Sequence, residues 1–211
     1  MRKLLAWSIA WALSGLLAVM FVRALCGQAL AGNVFQTGAG AFERIESGRS
    51  ARVSAACGPA LHPEPMNSAL GELPTGAPEF TLHDYAGRPI ALSSLKGRVV
   101  LLNFWATWCP TCVAEMASLE RLALAEQGQP FTLLAVSVDE SWDAVRRFFA
   151  RGTPLTVLLD PKKSLPGRYG TEKFPETFLI DREGRIRYYV VSDRSWDAAD
   201  VKACIDALIK G

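Results

Sequence analysis

Two cysteines separated by two residues are the side chains of this 211-residue sequence best suited to chemistry. Cys109 and Cys112 lie in the run WCPTC, where a continuous apolar segment gives way to a helix-forming one. A thiol at the start of a helix lies near unpaired backbone N–H groups and the positive end of the helix dipole, which stabilise its thiolate. We therefore expect Cys109 to attack disulfides as the nucleophile and Cys112 to resolve the mixed disulfide that forms.

Other uses of this cysteine pair fit the sequence less well. A zinc site needs four ligands, and the sequence has neither a second closely spaced cysteine pair nor paired histidines. Covalent haem attachment needs a histidine directly after the second cysteine, where this chain has Val113. An inert structural disulfide stays open, although so short a loop constrains the unfolded chain little. The sequence thus favours a redox-active disulfide that uses no metal and no organic cofactor.

Composition and charge exclude several classes of function. Apolar residues make up 50% of the chain and charged residues 21%, which is the balance of a globular protein. The first 31 residues carry Arg2, Lys3 and Arg23 and no acid, so the rest of the chain is close to neutral. A neutral domain lacks the basic surface that binds phosphate backbones, and nucleic acid is not an expected partner.

The N-terminal sequence predicts export. An uncharged run from Leu4 to Val22 follows Arg2 and Lys3, and as a helix it is long enough to cross a bilayer. The basic residues hold the amino terminus in the cytoplasm, which leaves the rest of the chain outside. We favour an uncleaved membrane anchor over residues 1–31. The alternative is a signal peptide cleaved after the sequence Ala-Leu-Ala that ends at residue 31, which would release a soluble periplasmic protein.

Composition changes again further along the chain. Residues 32–75 are rich in Gly, Ala, Ser and Pro and predict a flexible stalk, with a short helix near residues 42–49. Residues 76–211 alternate strand and helix patterns, so they predict one α/β domain with a partly parallel sheet. The predicted elements are a hairpin (80–82 and 90–92), strands at 99–105, 131–138 and 155–159, helices at 110–127, 141–151 and 197–210, and a second hairpin (177–181 and 186–191).

The helix that follows the cysteine pair has a predicted buried side and a predicted exposed side. Apolar spacing assigns the buried side to Val113, Met116, Leu119 and Ala123. Candidates for exposure are Glu120, Arg121 and Glu126.

Two segments together resemble a known family. Residues 100–115, VLLNFWATWCPTCVAE, and residues 174–181, FPETFLID, are similar to the membrane-anchored TlpA/ResA/CcmG (DsbE) branch of thioredoxin-like proteins. The resemblance covers residues 76–211. It implies a thioredoxin-like fold with an N-terminal β-hairpin extension and a central insertion, which here follows a single N-terminal transmembrane helix. It also implies an extracytoplasmic thiol–disulfide oxidoreductase that acts as a reductant, often in cytochrome c maturation.

The same resemblance implies a location and partners. The chain is expected in the bacterial inner membrane as a single-pass protein, with its catalytic domain facing the periplasm. Its expected clients are exported proteins with disulfides, such as apocytochrome c or its maturation factors, and its expected electron donor is a transmembrane protein of the DsbD/CcdA type. Two alternatives stay open, a DsbA-like oxidant or isomerase and a copper-handling chaperone like Sco-type relatives. Copper is disfavoured because Sco-like binding would need a CxxxC motif and a histidine in the loop near residue 175, whereas His62 and His83 lie far from that loop in sequence.

Further site residues follow from the resemblance by position. Pro175 matches the family's cis-proline, which faces the cysteines, and Trp108 is expected to shield the disulfide. Glu115, one helical turn after Cys112, matches a buried acid of the family. Asn103 stands where thioredoxin has a buried aspartate, so Glu115 is the expected proton-handling group. Each of these residues also has an ordinary structural interpretation. Pro175 could be a turn proline, Trp108 a core aromatic, and Glu115 a solvated glutamate in the first helical turn.

The remaining cysteines are assigned by parity. Cys26 lies in or beside the membrane segment, or is removed with a signal peptide, and Cys109 pairs with Cys112. Cys57 and Cys204 are then left in an oxidising compartment, where a mutual disulfide is expected, and some TlpA-like proteins tie an N-terminal segment to the domain in this way. The alternatives are an intermolecular bond through Cys57 and a buried, free Cys204.

Overall fold

The computed structural model describes residues 47–58, 61, 73 and 75–211. The chain divides into two compact units, residues 1–50 and 51–211, and the strands and the cysteine motif lie in the second unit. The predicted anchor and most of the predicted stalk lie outside the described residues. Within the part of the chain that is described, no helix is long and apolar enough to cross a bilayer.

Strands and helices alternate along the second unit as the sequence predicts. In chain order the elements are α1 (described over residues 47–57, of which 51–57 belong to this unit), β1 (Thr75–Gly76), β2 (Thr81–His83), β3 (Pro89–Ala91), a 3₁₀ turn (Leu92–Leu95), β4 (Val99–Trp105), α2 (Pro110–Ala125), β5 (Phe131–Ser137), α3 (Trp142–Phe148), β6 (Thr156–Leu159), α4 (Ser164–Arg168), β7 (Glu176–Ile180), β8 (Arg185–Val191) and α5 (Ala199–Lys210).

A mixed sheet organises these elements. Among the described residues its strands lie in the order β1-β8-β7-β4-β5-β6. Strands β4, β5 and β6 are parallel, whereas β7 is antiparallel to both β4 and β8, and β1 is antiparallel to β8. The short hairpin predicted ahead of the sheet is formed by β2 and β3. The predicted α/β domain with a partly parallel sheet is therefore confirmed.

The central strand β4 explains where the core lies. All seven of its residues are buried, as expected for a continuous apolar run that is covered on both faces. Because side chains alternate along a strand, Leu101 and Trp105 pack with α1, α2, α3 and α5, whereas Leu102 and Phe104 pack with the hairpin region and α4. The cysteine motif follows the carboxyl end of β4, so it lies at the end of the sheet where the parallel strands finish.

Helix α2 buries only part of the predicted side: Met116 and Leu119 are buried as predicted, but other positions differ. Its buried residues include Cys112, Glu115 and Ser118, whereas Val113 is 38% exposed. Glu126, expected at the surface, is also buried, because the end of α2 packs beside α5 and Lys202 lies 4.0 Å from its carboxylate. Apolar spacing failed here because the helix buries part of its polar side against a loop that the pattern does not show.

Two short elements also differ from the predictions. Helix α1 lies within the segment predicted as a flexible stalk, and Val53, Cys57 and Leu61 are buried at a spacing of four residues. Helix α4 was not predicted, since its sequence, SLPGR, contains both Pro and Gly, which disfavour helices. Both elements contribute buried side chains to the two cores that flank the sheet.

Candidate active site

The cysteine pair lies at the junction of β4 and α2. Cys109 is the N-cap residue of α2, Pro110 occupies the first helical position, and the Cys109 sulfur accepts a hydrogen bond from the backbone N–H of Cys112 at 3.2 Å. The two sulfur atoms are joined as a disulfide. An N-cap side chain that accepts from the first turn takes up one of the unpaired helical donors. The same N–H group is therefore available to a thiolate on Cys109 after reduction.

The two cysteines have unequal access to solvent. Cys109 is 6% exposed, whereas Cys112 is completely buried. The Cys109 sulfur also lies 3.5 Å from the carbonyl oxygen of Phe174 and 3.4 Å from the hydroxyl of Thr111. In the reduced protein, a disulfide of another molecule can therefore reach the Cys109 sulfur first. The Cys112 sulfur can be reached only from within the protein.

The segment before β7 forms the opposite side of the site. The Phe174–Pro175 peptide bond is cis, and Pro175 is buried. Trp108, expected to shield the disulfide, is 58% exposed, and its ring meets that of Phe174 edge to face at 6.1 Å. The ammonium group of Lys163 lies 5.4 Å from the centre of the Trp108 ring. The surroundings of Cys109 thus include an exposed aromatic surface.

Glu115 is a buried acid within a hydrogen-bonded network. Its side chain is 2% exposed, with Oε2 accepting from the indole N–H of Trp196 at 2.7 Å and Oε1 accepting from the amide of Asn103 at 2.8 Å. The Asn103 amide also donates to Thr177 on β7. Burial raises the pKa of Glu115 to about 7, and the bonds from Trp196 and Asn103 partly oppose that rise. Glu115 can therefore change protonation state near neutral pH.

Trp196 is a site residue that sequence reasoning missed. It lies in the loop between β8 and α5, far from the cysteines in sequence, and it is 1% exposed. Nothing in the surrounding run, DRSWDAAD, distinguishes it from an ordinary core aromatic. Only its contact with Glu115 reveals it.

The other two described cysteines form a second disulfide. The sulfur atoms of Cys57 and Cys204 are 1.98 Å apart, the Cα atoms are 4.4 Å apart, and both side chains are completely buried. This bond joins α1 to α5. Cys26 lies outside the described residues.

The described residues also bear on metal binding. Across residues 47–58, 61, 73 and 75–211, no group of three or more His, Cys, Asp or Glu side chains could hold a metal ion. His83 lies in β2, and His62 is outside the described residues.

Comparison with known proteins places this geometry in a family. The Redoxin family model matches residues 74–205. The thiol-disulfide oxidoreductase ResA of Bacillus thuringiensis (strain Al Hakam) is 33% identical over 120 residues, which cover 56% of this chain and 69% of that protein. ResA of Bacillus subtilis (strain 168) is 39% identical over 111 residues, which cover 52% of this chain and 62% of that protein.

Similarity to a solved structure supports the thioredoxin-like fold. A crystal structure from Chlorobium tepidum, assigned as the thiol:disulfide interchange protein DsbE, matches with a TM-score of 0.60 and 31% identity. The match covers 65% of this chain and 98% of that one, which supports the thioredoxin-like fold. The chain therefore belongs to the redoxin family and is a thiol–disulfide oxidoreductase of the TlpA/ResA/CcmG group.

Proposed function

We propose that this oxidoreductase acts outside the cytoplasm as a dithiol reductant of exported proteins, including those of cytochrome c maturation. The observation that carries the proposal is the burial of Glu115 one helical turn after Cys112. A carboxylate in that position opposes a second negative charge on Cys109. Strong oxidants of this fold stabilise the reduced, thiolate form, so a site that opposes the thiolate favours the disulfide form and a low reduction potential.

Two observations support an extracytoplasmic location. The buried disulfide between Cys57 and Cys204 is of a kind that persists in oxidising compartments and is rare in the cytosol. The uncharged run from Leu4 to Val22 after two basic residues is typical of an export signal or anchor. On this basis the domain faces the periplasm, held at the inner membrane by residues 1–31 or released by cleavage.

The exchange reaction follows from the unequal exposure of the cysteines. In the reduced protein the Cys109 thiolate attacks one sulfur of a client disulfide, which breaks that bond, forms a mixed disulfide and releases one client thiolate. Cys112 then loses its proton and attacks the Cys109 sulfur, which releases the second client thiolate and closes the enzyme disulfide. Two electrons pass from enzyme to client. The two client thiolates take up two protons from solvent, which replace the proton that Cys109 lost when it ionised and the proton that Cys112 loses during the exchange. Glu115 is the group assigned to accept the proton of Cys112.

The surface around Cys109 fits a protein client. Trp108 and Val113 are exposed apolar side chains next to the cysteines, and Phe174 extends the surface on the far side of Cys109. Exposed apolar surface of this kind marks sites of protein–protein contact. Clients with disulfides, apocytochrome c or its maturation factors among them, are therefore the proposed substrates.

The proposed reductant needs a source of electrons. An oxidising compartment offers no pool of reduced glutathione or thioredoxin to restore the dithiol after each cycle. A transmembrane donor of the DsbD/CcdA type, expected from the family resemblance, would supply two electrons and two protons per cycle. It would meet the same exposed cysteine as the client does.

The reduction potential of the Cys109–Cys112 pair tests the proposal. We expect a value on the reducing side of about −200 mV after equilibration with dithiothreitol or glutathione buffers, whereas a value near −120 mV would identify an oxidant. A Cys109→Ser/Cys112→Ser protein reports any contribution of the second disulfide to the signal. In a parallel assay, the reduced enzyme should reduce an oxidised apocytochrome peptide containing CxxCH. If the reduction potential is as expected but the enzyme does not reduce that peptide, the role in cytochrome c maturation is ruled out and the role as a reductant of other proteins is kept.

A further inference from the structure

The loop between β8 and α5, residues 192–198, is bonded to a single stripe of helix α2. Glu115, Ser118 and Arg121 form that stripe at a spacing of three residues, and Cys112 lies one step ahead of them. Trp196 bonds to Glu115, and the Arg121 guanidinium lies 2.6 Å from the carboxylate of Asp197. The loop therefore follows the side of α2 that begins at the buried active-site cysteine.

Ser118 fixes the backbone on both sides of Ser195. Its hydroxyl accepts the backbone N–H of Trp196 at 3.1 Å and lies 3.2 Å from the carbonyl oxygen of Arg194. The Arg194 guanidinium lies 5.5 Å from the centre of the Trp196 ring. With its backbone bonded and its ring packed, the Trp196 side chain presents its N–H group to Glu115 in one orientation.

We infer that Trp196 is a positioning residue for thiol–disulfide exchange: its indole N–H holds Oε2 of Glu115 and stabilises the ionised carboxylate that takes the proton of Cys112. The inference rests on the proton role proposed above for Glu115. It adds a residue that no motif contains, from a loop that is distant in sequence. The indole N–H is a good group for this task, because it donates and never accepts, so it favours the carboxylate over the protonated acid.

The groups that face Glu115 come from several elements. Its carboxylate accepts from Asn103 on β4 and from Trp196 on the loop, and the Arg194 backbone and the charge of Asp193 also act on it from the loop. Burial raises the pKa of Glu115 and the negative charge of Asp193 adds to the rise, whereas the hydrogen bonds from Trp196 and Asn103 and one with the Arg194 backbone lower it. Asp197, the other acid of the loop, forms a salt bridge with Arg121. Trp196 is thus the side-chain donor that holds Oε2, while Asn103 holds Oε1, so removal of the indole N–H leaves Oε2 without its side-chain partner.

The test is Trp196→Phe, which keeps an aromatic ring and removes the N–H group. The resolving step, followed by stopped flow from the mixed disulfide, should require a higher pH in the variant. We expect the acid limb of its pH–rate profile to move upward by about one pH unit, so that the rate at pH 6 falls about tenfold while the rate at high pH is kept. An unmoved acid limb overturns the inference.

Trp105→Phe is the matched control. Trp105 is also completely buried, but its indole N–H has no hydrogen-bond partner among the described residues. The control therefore loses the same atoms from the core without losing a bond to Glu115. We expect its pH–rate profile to keep the wild-type acid limb. An equal movement in both variants would mean that lost packing, not the lost bond, moves the limb, and it would overturn the inference.

A direct titration separates this inference from the role of Glu115. In the oxidised protein the cysteines do not titrate, so the carboxyl ¹³C signal of Glu115, assigned with Glu115→Gln, reports that group alone. We expect its midpoint to be higher in Trp196→Phe than in the wild type, and an unchanged midpoint overturns the inference. If the midpoint moves but Glu115→Gln leaves the acid limb in place, the proton role of Glu115 fails, and with it the kinetic part of the inference. In the Glu115→Gln background, Trp196→Phe should have no further effect on the limb.

Discussion

Glu115 shows how burial turns an ordinary side chain into a group that responds near neutral pH. The helix places it one turn beyond Cys112, in a space closed by β4, β7 and the loop before α5. Two donors hold its carboxylate, yet desolvation still raises its pKa from the ordinary 4.5 to about 7. The folded protein therefore retains a proton that the unfolded chain releases.

This difference in protonation makes stability depend on pH. Between the unfolded pKa, 4.5, and the folded pKa, about 7, the folded state binds more protons, so its free energy of unfolding falls as pH rises. We expect the stability of Glu115→Gln relative to the wild type to rise by about 3 kcal/mol from pH 5 to pH 8 in the oxidised proteins. Urea unfolding at each pH measures it.

Glu120 supplies the control for that measurement. It lies on α2 outside the buried side, and Glu120→Gln should show the wild-type pH dependence. A Glu115→Gln protein whose stability stays parallel to the wild type at every pH would show that the buried carboxyl does not titrate in this range.

Individual site residues differed in how far the sequence could predict them. Cys109, Cys112 and Glu115 lie within one helical start, so local spacing and family likeness were enough to propose them. Trp196 could not be proposed, because its role depends on a contact across 81 residues that no local pattern records. The prediction that Trp108 shields the disulfide stays a prediction: its ring is mostly exposed and packs edge to face against Phe174.

Ser118 links helix α2 to the loop between β8 and α5. The Ser118 hydroxyl is buried and bonds to the loop backbone, so Ser118→Ala leaves the Trp196 backbone N–H without its partner. A buried donor that loses its partner costs about 1–3 kcal/mol. We expect Ser118→Ala to lower the free energy of unfolding by about 2 kcal/mol in denaturant titrations.

Ser94→Ala is the comparison for this change. The Ser94 hydroxyl bonds to the Ala91 carbonyl but is exposed, so water replaces the bond and the loss should stay within about 0.5 kcal/mol. Equal losses in the two variants would contradict the assignment of Ser118 as a buried link between helix and loop.

The elements were predicted unevenly. Strand β4 was placed with the observed bounds, because a strand buried on both faces reads as an unbroken apolar run. The buried side of α2 was predicted only in part: its apolar positions Met116 and Leu119 are buried as expected. Its polar residues Glu115, Ser118 and Glu126 were missed, because they are buried against partners from other parts of the chain. For helix α1 the sequence predicted only a short helix near residues 42–49 within a stalk, whereas the described helix covers residues 47–57. Its buried side was missed because the partner that covers Cys57, helix α5, is distant in sequence.

The Cys57–Cys204 disulfide acts on the whole second unit. It joins residues 147 positions apart, so reduction would release a large part of the unfolded chain from constraint. In the chain-entropy model a loop of this length stabilises the fold by about 5 kcal/mol, whereas the short Cys109–Cys112 loop contributes about 2 kcal/mol.

Removal of each disulfide tests that contrast. Cys57→Ala/Cys204→Ala should lower the free energy of unfolding by up to about 5 kcal/mol, and Cys109→Ala/Cys112→Ala should cost about 2 kcal/mol. Thermal or urea unfolding of both double variants under oxidising conditions gives the comparison. A smaller loss for the Cys57/Cys204 pair than for the active-site pair would mean that the long bond does not constrain the unfolded chain as described.

The most direct test of the account is to trap the mixed disulfide. Cys112→Ser leaves Cys109 able to attack but removes the thiol that resolves the product. After reaction of the reduced variant with a disulfide peptide, non-reducing peptide mapping by mass spectrometry should find the peptide bonded to Cys109, and Cys109→Ser should form little adduct. Adducts that form through Cys112 in Cys109→Ser, while Cys112→Ser stays unmodified, would contradict the assignment of Cys109 as the nucleophile.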